Sequence, residues 1–136
     1  MIRKSLLACA LAAATLPAFA AELTFEVTGI EGAEGQVMVV LYDEAGFLKK
    51  PLMGVRLAPA GKTVSGTFGE VPTGFYAVIA FHDENANGKL DRNLLGIPTE
   101  KLGFSNNAKG MMGPASFADA KFEVTDTSKA VVVTLD

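Results

Sequence analysis

The chain has 136 residues, is 49% hydrophobic and 20% charged, and contains one His, one Cys and no Trp, a composition that suits one compact globular domain. Twelve basic against fifteen acidic residues leave a net charge of −3, which offers no basic footprint for a phosphate backbone and argues against nucleic acid as a partner. A lone His and a lone Cys also remove Cys/His nucleophile pairs, zinc clusters and two-His metal helices.

Residues 1–20 read as a secretory leader. Arg3 and Lys4 precede the apolar run Leu6–Leu16, and Ala18 and Ala20 place small residues before a cleavage site after Ala20. The run is shorter than the roughly 18 apolar residues that span a bilayer, so no transmembrane segment is expected in the mature chain. Leu6-Leu7-Ala8-Cys9 mimics a lipoprotein box, but the apolar segment between Lys4 and Cys9 is too short for one. Loss of Arg3 and Lys4 takes the net charge from −3 to −5 over residues 21–136, which contain no cysteine. The expected destination is periplasmic or secreted, with a core that holds without disulfides.

The mature chain reads as strands. Leu23, Phe25 and Val27 alternate with Glu22, Thr24, Glu26 and Thr28, the period-two signature of a strand with one buried face. Gln36–Tyr42 is a nearly continuous β-branched and aromatic run, and Thr63–Phe68 alternates weakly. Phe75–Phe81 is a second apolar run. In Val71-Pro72-Thr73-Gly74-Phe75-Tyr76, the tight turn and the early Tyr suggest a tyrosine corner. On that strand Tyr76, Val78, Ala80 and His82 share one face and Phe75, Ala77, Ile79 and Phe81 the other. Both faces are apolar, so each needs a cover, and the long loop Arg92–Ser116, with Leu94, Leu95, Ile97, Leu102, Phe104, Met111 and Met112, is expected to be an ordered lid over one of them. Lys121–Val124 and Ala130–Leu135 supply closing strands. The repeated tetrapeptide FEVT at Phe25 and Phe122 is too short to indicate duplication. These elements predict an all-β fold: a Greek-key, immunoglobulin-like or transthyretin-like β-sandwich of about seven strands in a single domain, 21–136.

The residues with chemical potential lie where the second apolar run meets the loop. In HDENANGKLD, Asp83, Asn85, Asn87 and Asp91 are spaced as oxygen ligands, Gly88 permits a sharp turn, and Lys89 has a backbone carbonyl to lend. A weak calcium site, in the millimolar range, fits this spacing. It departs from the helix-loop-helix motif, since Leu94 stands where the bidentate Glu belongs. Asn87-Gly88 between apolar runs is equally a turn signal. His82 is a candidate general base, although no serine elbow accompanies it, and the scattered methionines are core fillers rather than copper ligands.

Three ordered motifs, HDENANGKLD at 82–91, GIPTEKLGFSNNA at 96–108 and GPASFADAKF at 113–122, together with VPTGFYAV at 71–78, resemble the small exported bacterial proteins of the domain-of-unknown-function family 2141. The resemblance covers essentially the whole mature chain. It implies export and a β-sandwich, and no substrate. On its motifs Glu100, Ser105, Asn106 and Asn107 join His82 as ligand-binding candidates, with turn capping and loop anchoring as their structural alternative. Two functions follow: an exported non-enzymatic sandwich that presents the Asx-rich loop, with or without calcium, to an envelope or extracellular partner; or a small periplasmic hydrolase using His82. The scarcity of Arg and His, with Arg56 and Arg92 alone in the mature chain, weakens the second.

Overall fold

A computed structural model describes residues 20–136; the expected leader, apart from Ala20, lies outside them. Eight strands form two sheets: β1 (Ala20–Thr28), β2 (Gln36–Asp43), β3 (Met53–Leu57), β4 (Thr63–Pro72), β5 (Gly74–Asp83), β6 (Leu102–Phe104), β7 (Phe122–Val124) and β8 (Lys129–Thr134). One sheet has the order β4-β1-β8 and the other β3-β2-β5-β6, with β7 also on β5. The described residues are all-β, as their period-two patterns predict, apart from a 3-10 turn at Ser105–Asn107 and the single-turn helix α1 (Phe117–Ala120). Among the described residues no helix is long and apolar enough to cross a membrane.

The alternating side chains of β1 pack into the sandwich. Leu23, Phe25 and Val27 are fully buried against Val37, Val39 and Leu41 of β2 and Val78 of β5. Phe25 stacks at 5.1 Å on Phe68, and Gly66 leaves room for it, since a Cβ there would stand 2.6 Å from the Phe25 ring. β8 lies parallel beside β1. At its end the sandwich closes tightly: the Asp136 amide donates to the Leu102 carbonyl at 3.1 Å, and a Cβ on Gly103 would meet the Thr134 carbonyl oxygen at 2.1 Å.

Strand β5 is buried on both faces from Tyr76 to Asp83, which explains its continuous apolar run. Its inner face joins the main core. Its outer face, through Ala77 and Ile79, joins a second cluster with Phe104, Ala115 and Ala120, bordered by Tyr42, Phe47 and Phe117 in a chain of edge-to-face contacts. At the start of β5 the Tyr76 hydroxyl donates to the Pro72 carbonyl at 2.7 Å, as the turn sequence predicts.

The expected lid needs correction. Leu102, Phe104, Ala108 and Ala115 do cover β5, but Leu94, Leu95, Ile97, Met111 and Met112 are exposed. Part of the stretch is instead an edge strand. β6 and β7 both pair antiparallel with β5, with Phe104 opposite Ile79 and Phe122 opposite Tyr76, so they are two pieces of one edge interrupted by an excursion. Two strands escape prediction. β6 is three residues long, too short for a period, and β3 is a five-residue edge strand whose second residue is Gly54.

Candidate functional site

The loop leaving β5 begins at Asp83, whose side chain is fully buried. Its Oδ1 accepts the Asn87 amide at 3.2 Å, and its Oδ2 accepts the Gly88 amide and Gln36 Nε2, both at 2.7 Å. Burial alone would raise the carboxyl pKa, yet these three donors, with the charge of Arg56 nearby, hold it below the usual carboxylate value. Asp83 therefore caps the turn as an anion. The loop can fold around it because Ala86 and Gly88 take left-handed backbone angles, φ 52° and 77°. From below, Gly35 holds the loop close; a Cβ there would lie 2.1 Å from the Asp83 carbonyl oxygen.

Glu100, buried at the far end of the loop, ties its two limbs together: one oxygen accepts the Glu84 amide at 2.8 Å and the other the Asp91 amide at 2.9 Å. Asp91 in turn accepts the side-chain amides of Asn85 at 2.6 Å and Asn87 at 2.8 Å. Asn85 Oδ1 accepts the Asn87 amide, and Asn87 Oδ1 accepts the Lys89 amide at 2.9 Å. Asp83, Asn85, Asn87, Lys89, Asp91 and Glu100 thus form one hydrogen-bonded knot. Its oxygens face N–H groups rather than a common point, whereas a calcium ion needs six to eight oxygens converging on it. Among the described residues no group of three or more His, Cys, Asp or Glu side chains is disposed to hold a metal.

His82 is 1% exposed. Its Nε2 donates to the Glu34 carbonyl at 2.7 Å, while its buried Nδ1 has no partner among the described residues. It is buried rather than set in an open cleft, and two surface depressions of about 410 and 490 Å³ lie around Gly74 at the opposite end of β5.

The remaining candidates are elsewhere. Ser105 is buried at the break between β6 and β7, where its Oγ accepts the Val78 amide at 3.0 Å and donates to the Ala120 carbonyl at 2.6 Å. The hydroxyl stands in for the backbone pairing that the excursion interrupts. Asn106 Nδ2 donates to the carbonyls of Asp119 and Lys121, stapling the neck of the excursion. Asn106 and Asn107 both take left-handed angles, which Asn tolerates better than most residues. Glu100 therefore joins the Asx-rich loop, while Ser105 and Asn106 hold a separate structural joint and Asn107 supplies a turn.

Sequence reasoning missed Gln36, Gly35 and the Glu34 carbonyl, which reach the loop from the β1–β2 connection; no local spacing links them to it. It also missed that Leu94, Leu95 and Ile97 point outward. Between Asp91 and Glu100 the chain turns back on itself: Arg92 pairs with Pro98, the Asn93 amide donates to the Ile97 carbonyl at 2.9 Å, and Asn93 Oδ1 accepts the amides of Leu95 and Ile97.

No curated protein and no solved structure matches the chain. A family model spans residues 25–132, from the second half of β1 into β8, and with them the Asx-rich loop, the broken edge strand and its excursion; the chain belongs to the family described as "Uncharacterized protein conserved in bacteria", DUF2141.

Proposed function

We propose that the protein is an exported, non-enzymatic β-sandwich of the periplasm or extracellular space that presents the β5–β6 loop, residues 84–101, as an interaction surface. The observation that carries this reading is the combination of a braced base and an outward tip. Glu100, Asp83 and Asp91 lock the loop, while large apolar side chains at its end stay in solvent, and ordered loops on a rigid scaffold are where binding residues concentrate. The buried, backbone-bonded His82 favours this reading over hydrolysis, because a general base must reach its substrate. The sandwich belongs, in this reading, to the Greek-key immunoglobulin-like or transthyretin-like type. In support, β1 pairs with β4 in one sheet and β2 with β5 in the other, and Tyr76 closes on Pro72 in the manner of a tyrosine corner.

Weak calcium binding is a subsidiary part of the proposal, supported by the convergence of Asn85 and Asn87 on the Asp91 carboxylate. Rotation of both amides would turn their oxygens toward the point Asp91 faces; Asp83, already bonded to three donors, would stay out of the ligand set. Melting curves in calcium up to about 10 mM test it: a rise that Asp91→Asn abolishes supports the site, and a flat titration removes it. The main reading is tested by photo-crosslinking in the native envelope from positions 85, 94 and 97, with positions 65 and 67 on β4 as controls. Crosslinks confined to the loop are expected. Equal crosslinking from β4, or none from the loop, would refute it. Intact-mass measurement checks export, with Ala21 expected as the first residue of the mature chain.

A further inference from the structure

We infer that Met111 and Met112, at the far turn of the excursion from Ser105 to Lys121, are a site of selective oxidation, converted to sulfoxides by oxygen-atom donors such as peroxides and hypochlorous acid while the fold stays intact. The inference holds whatever the β5–β6 loop contacts.

The sequence first narrows where an oxidant can act. Residues 21–136 contain no Cys and no Trp, and their sulfur is confined to Met38, Met53, Met111 and Met112. The one His is 1% exposed. No thiol competes for the oxidant, so the thioethers are its foremost targets.

The fold then divides the four methionines. Met53 is half-buried against the main core, and Met38 is half-buried in β2 between Arg56 of β3 and Phe81 of β5. Met111 and Met112 are 98% and 107% exposed. Their turn is set by backbone packing rather than by their own side chains. A Cβ on Gly110 would lie 2.2 Å from the Gly113 carbonyl oxygen, Met112 takes a left-handed φ of 57°, and Lys109 pairs with Asp136 just before it. Ala115 and Phe117 seat the chain beyond the turn on the outer face of β5. The two thioethers thus stand in solvent on an anchored support.

In the reaction an Sδ lone pair attacks the electrophilic oxygen of the oxidant. The S–O bond forms as the O–O bond of a peroxide, or the O–Cl bond of hypochlorous acid, breaks; sulfur gives up two electrons, and the oxidant leaves as water or alcohol, or as chloride and a proton. A sulfoxide is polar and disrupts a core that holds it. At this turn it meets water, so no packing is lost. With no cysteine in residues 21–136, the protein has no thiol to reverse the change, and reduction must come from a separate sulfoxide reductase.

The experiment treats the mature protein with limiting hydrogen peroxide or hypochlorous acid and follows each methionine by peptide mass mapping. Met111 and Met112 are each expected to gain one oxygen about tenfold faster than Met38 and Met53, with an unchanged melting temperature once the pair is converted. Met111→Leu with Met112→Leu should remove the fast phase of oxidant consumption and leave the melting curve as it is. Oxidation of Met38 or Met53 as fast as the pair, a fast phase that survives the double substitution, or a melting temperature that falls in step with oxidation of the pair would each overturn the proposal.

Discussion

Two excursions leave the same edge of the five-stranded sheet, and they are held by opposite means. Residues 84–101 are braced by carboxylates and amides, and their largest apolar side chains face solvent. The excursion from Ser105 to Lys121 is seated by Phe104, Ala115, Phe117 and Ala120 on the outer face of β5, with Ser105 and Asn106 closing its neck. The second pattern completes a core. The first does the reverse, spending polar groups to keep an apolar tip out of the core, and that contrast locates the presented surface. Met111 and Met112 are the exception within the second excursion, exposed at its far turn.

The contrast can be broken most directly at Ser105. Ser105→Ala leaves two buried backbone groups, the Val78 amide and the Ala120 carbonyl, without the hydroxyl, and unsatisfied buried groups cost on the order of 1–3 kcal/mol each. Urea denaturation should show a global loss of about 3 kcal/mol; a change below about 0.5 kcal/mol would mean that apolar packing alone holds the joint.

Glu100→Gln should act more locally. The amide can accept one of the two backbone N–H groups that the carboxylate accepts and must turn a donor toward the other. About 1–2 kcal/mol is expected, together with faster hydrogen exchange at the amides of Glu84 and Asp91. If exchange rose equally at Val78, the two excursions would not be independent.

Asp83 sharpens the picture through pH. Its folded-state pKa is depressed, so its contribution is present above the unfolded carboxyl value, about 3.9, and is lost as pH falls through the lower folded value. Melting temperature should drop in acid below about pH 4, and Asp83→Asn should flatten part of that drop while lowering stability at pH 7. An unaltered acid profile in the variant would remove Asp83 as the anionic cap.

The smallest stability effect belongs to the tip. Leu94→Ser and Leu95→Ser remove no buried contact and should change unfolding free energy by less than about 0.5 kcal/mol. A larger loss would show that these side chains pack, which would end the comparison from the other side.

What the sequence determined by itself is local. Period-two alternation located β1, the double-sided apolar run located β5, and Pro72-Thr73-Gly74-Phe75-Tyr76 announced the turn that Tyr76 closes; each of these is written in residues next to one another. It also marked Asp83–Asp91 as a tight Asx-rich turn, because Asn and Asp bond to backbone a few residues away. Tertiary structure alone decided the rest. Gln36 and Gly35 reach Asp83 across the sheet, Ser105 bonds Val78 across the broken edge, and three-residue β6 exists only because β5 offers it an unpaired edge. Leu94 and Phe104 are equally apolar in the sequence, yet one lies in solvent and the other in the second core. Hydrophobicity states only that burial would be favourable; which side chains have a surface to be buried against depends on how the chain is closed.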